Sequence, residues 1–597
     1  MLDYGIAELA GSIDALWLIV SAALVFFMQA GFAMVESGFT RAKNAGNIVM
    51  KNTLDFVFAT IVYVAIGYSL AYGTDLAGII GSPTFFLSGF EGDLVTVLFQ
   101  LVFAGATATI VSGAMAERTK FSSYMVYAIV ICAFVYPVVT HWVWSADGWL
   151  CQLGYIDFAG STAVHMLGGI TALLGAYFLG PRIGKYDKDG NARALPGHNL
   201  TLAALGVFIL WFGWFGFNGG STLAVSGFDG AATANSTAEV LLITCIAASA
   251  GALGAMIMSM VRYKHPDVSY TLNGVLAGLV GICAGAAVVD YYGALVIGFI
   301  AGIVVVVAAD FVEKKLRIDD PVGAFAVHGA AGMVGTLLVA FLMNPDKAGT
   351  AGLLYGGGMD ALIQLGIQVV GIVAIAAWSV VLMGATFWII KHSIGLRVTP
   401  EEEIAGLDIT EHGLVNAYSG LMPDLHKVSL LDATKAPMAM ADETIGIPVM
   451  DYSEPVSGTL KKIVVITRRE KLGDLKAAMD SLGITGMTIS YVEGYGAQKG
   501  QTTMYRGVEI DSTLLPKLKV EIVTSISASQ IVEAARKAIY TGAVGDGKIF
   551  VYDVENAIRV RTGETGVTAV SSGIRVRTSK LERKPFPRII PGFLLFL

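Results

Sequence analysis

Long apolar segments separated by short polar loops dominate the first two thirds of the sequence. Each of eleven segments is long enough to cross a hydrocarbon core of about 30 Å as a helix. They occupy residues 13–37, 52–73, 95–116, 122–140, 159–180, 199–217, 237–261, 269–287, 291–310, 322–343 and 361–391. An odd number of crossings places the two ends of this region on opposite sides of a bilayer.

The pattern changes after residue 391. Residues 397–418 are polar and lack a hydrophobic period, and 419–459 have the composition of a linker. Strand-like runs follow at 461–467, 485–492, 517–524 and 548–553, with helical spacing at 470–482 and 527–541 and a Gly-rich polar loop at 494–513. The order βαββαβ predicts a ferredoxin-like α+β domain. The predicted divisions are 1–418, 419–459, 460–575 and an unassigned apolar tail at 576–597.

Composition agrees with a membrane protein surrounded by lipid. Hydrophobic residues make up 55% of the 597 residues and charged residues only 15%. The net charge is -7, and no basic run suggests nucleic acid as a partner. The four cysteines are scattered, so neither a disulfide framework nor a zinc site is expected.

Loop charges predict the orientation of the segments. The bases after segments one, three, five, seven and nine are Arg41, Lys43, Lys51, Arg118, Lys120, Arg182, Lys185, Lys188, Arg193, Arg262, Lys264, Lys314, Lys315 and Arg317. The alternate loops carry mostly acids. By the positive-inside rule, the N-terminus lies outside and the C-terminus lies in the cytosol of a multi-pass protein of the cell membrane.

One stretch of sequence occurs twice in this region. Asp157 begins the first copy and His165 follows eight residues later, and Asp320 and His328 repeat that spacing. Eight helical residues rise about 12 Å, which brings each histidine close to the bilayer centre if each aspartate marks an interface. The copies enter the bilayer from opposite sides, so five plus five segments form an inverted repeat and the eleventh is extra.

The repeated histidines are the leading candidates for function. An ionisable residue at this depth is expensive unless it has a role, although histidines that pack by bonding to neighbouring helices are the alternative. A facing pair of neutral imidazoles can share a proton. Asp157 and Asp320 are expected to cap their helices, with Pro321 as the first helical residue of the second copy. Aromatic candidates are Phe103, Trp144, Trp211, Trp214 and Phe217.

Six motifs make residues 1–418 resemble the ammonium transporter (Amt/Mep/Rh) family over their whole length. They lie at residues 38–44, 113–118, 157–165, 211–221, 319–329 and 406–412. The resemblance implies ammonium as substrate and a homotrimer with one narrow pore per subunit. It also implies an outer recruitment site at Trp144 and Ser221, a stacked phenyl gate at Phe103 and Phe217, and a pore containing His165, His328 and, at its outer end, Asp157.

The C-terminal domain resembles a PII signal protein of the GlnB/GlnK type. The matching runs lie at residues 482–490, 494–507, 515–517, 541–550 and 557–564. The resemblance implies that ATP or ADP binds in the cleft between subunits of a trimer, that Gln498 reaches the Mg²⁺ of Mg-ATP, and that 2-oxoglutarate completes that site. The implied nucleotide-site residues are Thr488, Gly496, Gln498, Lys517, Gly545, Asp546, Gly547, Lys548, Arg559 and Arg561.

The loop at 496–513 corresponds to the partner-contacting T-loop of the PII family, although a loop without a partner is the alternative. Ile510 and Val508 stand where two PII subgroups carry a modified tyrosine and serine, so ligands alone are expected to set its state. In the resembled families a T-loop arginine plugs the transporter exit. Arg506, next to Tyr505, is the residue expected to do so here. A flexible linker the length of 419–459 spans roughly 35 Å, which permits both docking and release of the domain.

Three other functions remain open from the sequence. An ammonium receptor would bind substrate, conduct little and signal through the PII domain. A Rh-like gas channel would lack the complete outer site that the run at 211–221 favours. An enzyme is not expected, because the sequence shows no pairing of a nucleophile with a base.

Overall fold

The computed structural model describes residues 2–414, 417, 460–468, 471–484, 486–494, 502–505, 508–511, 515–542 and 545–570. The chain divides into two compact units. The first, called here the membrane unit, is almost entirely helical, and the second, the C-terminal unit, is a small α+β domain. The predicted linker at 419–459 and the tail at 576–597 lie outside the described residues.

Eleven apolar helices build the membrane unit. They are α1 (Gly5–Phe39), α2 (Ala42–Tyr72), α3 (Leu94–Ala114), α4 (Phe121–Leu153), α5 (Ser161–Leu179), α6 (Leu200–Gly220), α7 (Ala234–Tyr263), α8 (Val268–Ile282), α9 (Tyr291–Leu316), α10 (Phe325–Leu342) and α11 (Gly358–Ser393). A two-stranded ladder of Asp75–Leu76 with Ile80–Gly81 and the short helix Pro345–Ala348 lie in loops. Within the described ranges, ten of the eleven helices are long and apolar enough to span a membrane.

The exception is α8, where the predicted span of 269–287 is too long. The helix ends at Ile282. Beyond it, the carbonyl oxygens of Cys283 and Ala284 accept hydrogen bonds from the backbone N–H groups of Ala159 (2.9 Å) and Phe158 (3.1 Å). Irregular backbone is tolerated at membrane depth when protein satisfies its polar groups. The end of α8 therefore holds the chain that leads into α5.

A matching contact runs from the first half of the repeat to the second. Here the end of α3 supports the start of α10. Helix α3 ends at Ala114, and the buried side chain of Arg118 follows. Its guanidinium Nη2 donates to the carbonyl oxygen of Asp319 (2.7 Å), just before α10. Each half of the repeat thus supports the start of the histidine-bearing helix of the other half.

Helices α5 and α10 touch through their backbones. A Cβ atom added to Gly169 would lie 2.2 Å from the backbone nitrogen of Gly329, and one added to Gly332 would lie 2.3 Å from the carbonyl oxygen of Ser161. Only glycine fits such contacts between helices. The close approach brings the two repeats together at the level of their histidines.

A buried ion network joins the ends of the helices on the side of the molecule that carries the basic loops. Arg182 pairs with Glu117 (Nη1–Oε1, 2.9 Å) and Asp319 (Nε–Oδ2, 2.8 Å), and Arg41 also pairs with Glu117. Burial opposes ionisation of Glu117, but the guanidinium groups of Arg182 and Arg41 outweigh it and hold the pKa of its carboxyl below the ordinary value. Lys51, which the sequence analysis counted as a loop charge, is instead fully buried within α2.

The segment after α11 packs on the same side of the membrane unit. It forms two short helices, α12 (Pro400–Ala405) and α13 (Leu407–His412), where the sequence showed no hydrophobic period. The carboxylate of Asp408 accepts hydrogen bonds from the backbone N–H groups of Gly46 (3.0 Å) and Asn47 (2.7 Å) in the first turn of α2. These polar contacts and the fully buried side chain of Leu407 hold the segment in place.

The C-terminal unit has the predicted ferredoxin-like order. Its elements are β1 (Leu460–Thr467), α14 (Leu472–Ser481), β2 (Thr488–Gly494), β5 (Leu515–Thr524), α15 (Ala528–Ile539), β6 (Lys548–Val554) and α16 (Val567–Val570). The chain between β2 and β5 carries two further strands, β3 (Thr502–Tyr505) and β4 (Val508–Asp511). Strands β2, β5, β1 and β6 form an antiparallel sheet in that order. Its core joins Ile463 and Ile522 from the sheet to Met479 and Ile531 from the helices.

The polar loop predicted at 494–513 contains regular structure. Strands β3 and β4 pair with each other in a separate two-stranded sheet. Threonine, tyrosine, valine and isoleucine in these runs favour extended backbone, a local preference that the glycine and polar content of the loop obscured.

Candidate functional site

The structure brings the two repeated histidines into contact. The Nδ1 atoms of His165 and His328 are 3.3 Å apart, and the ring centroids are 5.2 Å apart. His165 is fully buried and His328 almost so. Each lies in a π-helical turn, Ser161–Met166 in the first repeat and Phe325–Ala330 in the second. Such turns are rare and frequent at functional sites, and here they occur at matched positions.

The contact between the two Nδ1 atoms determines which ring nitrogens of His165 and His328 can carry hydrogen. For two neutral imidazoles, one Nδ1 must carry a hydrogen and donate it while the other accepts. The Nε2 atoms of the pair then have opposite character, one an acceptor and one a donor. Nε2 of His165 is buried and has no hydrogen-bond partner among the described residues, so it is available to a small molecule beside it.

Aromatic rings cover one face of His165. Trp214 and Phe217 stack on its imidazole with centroid distances of 5.3 and 5.2 Å. Phe103 stacks in turn on Phe217 at 4.1 Å with an interplanar angle of 20°. Phe103 and Phe217 are both buried, so the stacked pair closes the path to His165 in this conformation.

Above the stacked pair lie two partly exposed candidate residues. Trp144 meets Phe103 edge-on at 6.0 Å, and its indole N–H donates to the carbonyl oxygen of Asp157 (2.8 Å). Ser221 donates its hydroxyl hydrogen to the carbonyl oxygen of Phe217 (2.8 Å). Because that hydrogen is committed, the oxygen of Ser221 presents its lone pairs as an acceptor.

Asp157 lies at the start of α5, behind Trp144. Its carboxylate accepts hydrogen bonds from the four successive backbone N–H groups of residues 160–163, at 2.7 to 3.0 Å. These are the donors that a helix start leaves without internal partners. Asp157 is 4% exposed and acts on the pore through the helix that it caps.

Asp320 caps the matching helix with fewer contacts. It accepts hydrogen bonds from the backbone N–H groups of Gly323 and Phe325, both at 2.9 Å. The expectation that Pro321 is the first helical residue is wrong, because the π-helical turn starts at Phe325. The residues between Asp319 and Phe325 form the turn that connects the ion network to α10.

Two pore residues received no role in the sequence analysis. Trp214 stacks on His165, and its indole N–H donates to the sulfur of Cys283 (3.2 Å), which fixes the ring. Glu36, on α1, lines a small cavity together with His328. An acid inside an apolar segment of spanning length is the signal that would have identified Glu36.

The candidate nucleotide residues fall into two groups in the C-terminal unit. Thr488 lines a groove of about 700 Å³ together with Lys462, Gly486, Glu521 and Ala569. The guanidinium Nε of Arg559 donates to the carbonyl oxygen of Ala569 (3.2 Å), which places Arg559 beside that groove. Arg561 is exposed.

The second group surrounds the loop before β6. The carboxylate of Asp546 accepts hydrogen bonds from the backbone N–H groups of Thr541 (2.7 Å) and Gly542 (3.0 Å), and Lys517 donates to the carbonyl oxygen of Gly545 (2.8 Å). Gly547 has φ +124, and an added Cβ would lie 1.9 Å from the carbonyl oxygen of Ile466. The loop is therefore a shaped backbone turn that leads to Lys548.

The two groups lie toward opposite ends of the strands of the sheet. Thr488 pairs with Glu521 of β5 toward one end, and Lys517, near the other end of β5, lies on the end where Lys548 begins β6. Gly496, Gln498 and Arg506 lie outside the described residues, so the expected Mg²⁺ contact and pore plug are not located. Tyr505 ends β3.

An inverted five-helix repeat with a buried histidine pair beneath stacked aromatic rings defines a membrane channel or transporter for a small solute. The chain belongs to the ammonium transporter family. The family model described as Ammonium Transporter Family matches residues 16–417, and the model described as Nitrogen regulatory protein P-II matches residues 460–564. The protein thus combines a transporter domain with a fused PII domain.

Individual relatives agree with this assignment. Ammonium transporter Amt2 of Archaeoglobus fulgidus is 45% identical over 68% of this chain and 88% of its own length. Ammonium transporter Amt1 of Haloferax mediterranei is 41% identical over 68% of this chain and 79% of its own length. A solved structure described as "Sensor Amt Protein" is 40% identical, with a TM-score of 0.64, over 68% of this chain and all of the other.

Proposed function

We propose that the membrane unit recruits ammonium between Trp144 and Ser221 and passes it, past the Phe103–Phe217 pair, to His165 and His328. The observation that carries this proposal is the buried Nε2 of His165, which lacks a partner within the described ranges and lies beneath the aromatic stack. A small hydrogen-bonding solute is the group that fits beside it.

The outer site selects ammonium through two interactions. The rings of Trp144 and Phe103 offer cation–π attraction of about 0.5–2 kcal/mol. The oxygen of Ser221 accepts a hydrogen bond from an ammonium N–H, which a potassium ion of similar charge cannot give.

A bare ammonium ion meets a large desolvation cost below the stacked phenyl rings. Loss of a proton removes that cost, so ammonia crosses the narrow segment as a neutral molecule. The Nε2 acceptor of the pair takes the proton that ammonium loses, which gives the pair one positive charge. The shared Nδ1 hydrogen then shifts to the second imidazole, which releases its own Nε2 hydrogen, so the pair relays one proton and returns to the neutral state.

The orientation and assembly follow from charge and shape. The basic loops place the inner side of His328 toward the cytosol and the N-terminus outside. Three copies assemble into a homotrimer with one pore per subunit. The fused domain supports assembly as well, since the two groups of candidate nucleotide residues lie toward opposite ends of the strands of its sheet, and a site that combines them needs a neighbouring subunit.

In that assembly the C-terminal domain binds ATP or ADP. Thr488, Arg559 and Arg561 come from one subunit, and Lys517 with residues 545–548 comes from its neighbour. Backbone N–H groups and cations of this kind suit phosphate oxygens. Gln498 contacts the Mg²⁺ of Mg-ATP, and 2-oxoglutarate completes the liganded state. The domain acts as a regulator and not as an enzyme.

The fused domain gates its own pore. With ADP bound, the T-loop inserts Arg506 at the cytosolic exit, and Mg-ATP with 2-oxoglutarate favours release. A ligand opens the pore only if it binds the released state better than the docked state. Because residues 419–459 link the PII domain to the membrane unit, its local concentration at the pore is roughly millimolar, and even a weak contact is enough for docking.

Ammonium-driven current in proteoliposomes tests transport. We expect the full chain to carry current on ammonium and methylammonium gradients and to reject potassium. Replacement of both phenyl rings, Phe103→Ala with Phe217→Ala, is expected to open the pore to ions and to lose this selectivity. A full chain that binds ammonium without current contradicts the proposal.

Truncation tests gating by the fused domain. We expect a chain ending at Asp451, and the full-length Arg506→Ala variant, to conduct equally with ADP and with Mg-ATP, while the unaltered chain conducts less with ADP. Arg536→Ala, an exposed arginine on α15, is the matched control and should keep the nucleotide response. If nucleotides change none of these currents, the domain does not gate its own pore.

A second candidate function is ammonium sensing with little transport. The solved structure that is 40% identical carries the description "Sensor Amt Protein", and this likeness favours a sensing role. In that case the pore binds ammonium and the PII domain passes the signal to other proteins. Substrate-dependent current in the full chain separates the two functions.

A further inference from the structure

A small cavity lies on the inner side of the histidine pair. Its volume is about 30 Å³, and Phe32, Val322 and other apolar side chains form most of its wall. The polar side chains in the wall are those of His328, Asn273 and Glu36. A volume of this size has room for one or two molecules as small as water or ammonium.

Glu36 presents part of its carboxylate to this cavity. The side chain is 3% exposed, near the end of α1. Asn52 Nδ2 (3.1 Å) and Ser112 Oγ (3.0 Å) both donate to Oε2. These two bonds hold the carboxylate through Oε2, and the described residues donate no hydrogen bond to its second oxygen, Oε1.

Charged side chains near Glu36 act on its carboxylate electrostatically without forming a hydrogen bond to it. Lys51 and Asp55 on α2 are both fully buried, and Arg118 lies farther along the same polar region. The ammonium group of Lys51 donates no hydrogen bond within the described ranges and lies 5.2 Å from the ring centroid of Tyr124. Lys51 therefore offsets the charge of Glu36 from a distance, and the carboxylate stays free to bind a second cation.

We propose that this cavity is an inner ammonium-binding site and that Glu36 is its anionic ligand. The inference rests on the proposed transport function. Oε1 accepts an N–H of ammonium and pairs with its charge, while Asn273 and His328 complete the polar wall. The outer mouth holds the cation with rings and a hydroxyl, so the two ends of the pore bind the same ion by different chemistry.

Transport in membrane vesicles of both orientations tests the site. In Glu36→Gln, we expect the ammonium KM for transport from the cytosolic side to rise tenfold or more. The KM from the outer side should change less than twofold. Ser221→Ala is the matched comparison and should give the opposite asymmetry, because it alters the outer mouth alone.

Glu36→Gln also removes one of the two buried acids, Glu36 and Asp55, that act on Lys51, so a second variant separates binding from stability. Glu36→Gln with Lys51→Met removes one acid and one base together and keeps the net charge of the unaltered chain, and we expect the cytosolic-side KM to stay raised tenfold. A double variant with the KM of the unaltered chain overturns the inference, because Glu36 then serves only to balance Lys51. An unchanged KM in both variants also overturns it.

If size-exclusion chromatography shows that neither glutamine variant folds, Glu36→Asp tests whether the position of the carboxylate matters for binding. It keeps the charge but withdraws the carboxylate by one methylene, and we expect a severalfold rise in the cytosolic-side KM. No rise overturns the inference. Absence of current in the unaltered chain is a separate result, since it overturns the proposed transport function and with it the inner site.

Discussion

The two copies of the repeated stretch share a backbone and differ in what surrounds them. Both place a histidine in a π-helical turn behind an aspartate cap. His165, however, lies under the rings of Trp214 and Phe217 at 5.3 and 5.2 Å. The nearest ring to His328 apart from His165 is Phe32, tilted at 6.2 Å, and a cavity containing a carboxylate opens beside it.

A pore needs its histidines at one position and needs suitable side chains along the approach from each side, and different residues meet these two needs. Repeated glycines and caps bring the histidines together from opposite sides, so symmetry determines where they meet. Trp214, Phe217 and Glu36 lie outside the two copies of the repeated stretch, and they make one approach to the histidines aromatic and the other polar. A symmetric scaffold can therefore carry a path with a distinct entrance and exit.

The largest expected effect follows from separating the histidine pair. We expect His165→Ala and His328→Ala each to lower ammonium current about a hundredfold, a loss typical of removing a group that handles a proton. Either change leaves the Nδ1 of the other ring buried without its partner. Current in proteoliposomes measures the effect, and size-exclusion chromatography shows whether the variants fold.

An exposed histidine gives the matched control for this prediction. His392 lies in the last turn of α11 and bonds only locally, with Nδ1 2.8 Å from the carbonyl oxygen of Trp388. His392→Ala should conduct like the unaltered chain. Full ammonium-selective current in both pore variants would remove the histidine pair from the mechanism.

The sequence revealed the pair because the aspartate-to-histidine spacing repeats and because the histidines lie in apolar segments. It could not reveal that α8 stops at Ile282, since residues 283–287 are as apolar as the helix and it is tertiary bonds, such as those to Phe158 and Ala159, that hold them outside it. Lys51 was misjudged for a related reason. A base at a segment boundary belongs to a loop or a helix according to tertiary contacts that local pattern does not record.

The caps of the two repeats should differ in their contribution to stability. Asp157 satisfies four buried backbone donors, whereas two bonds to Asp320 are described. We expect Asp157→Ala to lower the free energy of unfolding by about 3 kcal/mol and Asp320→Ala by about 1 kcal/mol. Thermal unfolding of the detergent-solubilised protein measures both.

The asparagine variants sharpen this comparison. Each keeps one acceptor oxygen, so Asp157→Asn and Asp320→Asn should lose less stability than the matching alanine variants. Equal losses in Asp157→Ala and Asp320→Ala would show that the number of capped donors does not set the difference.

Acid should weaken the buried ion network that joins Arg182 to Glu117 and Asp319. Burial opposes ionisation of Asp319, but Arg182 and Arg118 outweigh it and hold the pKa of its carboxyl well below the ordinary value, as Arg182 and Arg41 do for Glu117. Carboxyls with depressed pKa contribute stability that is fully present above their unfolded value of about 4 and is lost as pH falls through the folded value. We therefore expect a flat thermal midpoint from pH 7 to 5 and a decline below about pH 4.

Glu117→Gln tests the source of that decline. The variant removes one carboxylate from the network, so its midpoint should be lower at pH 7 and should fall less steeply in acid. Glu401→Gln, an exposed acid in α12, is the control and should follow the unaltered chain. A decline in acid that is as steep in Glu117→Gln as in the unaltered chain would assign the effect to other carboxyls.

The smallest expected effect concerns Ser221, because one neutral acceptor at a partly exposed site contributes little. Its hydroxyl hydrogen is committed to Phe217, so ammonium meets a lone pair, and the loss of such a bond is worth about 1 kcal/mol. We expect Ser221→Ala to raise the outer-side KM about fivefold, to leave maximal current unchanged and to reduce discrimination against potassium. Ser221→Thr keeps the hydroxyl and should restore the KM. If alanine and threonine behave alike, the hydroxyl is not a ligand, and the aromatic rings alone recruit the cation.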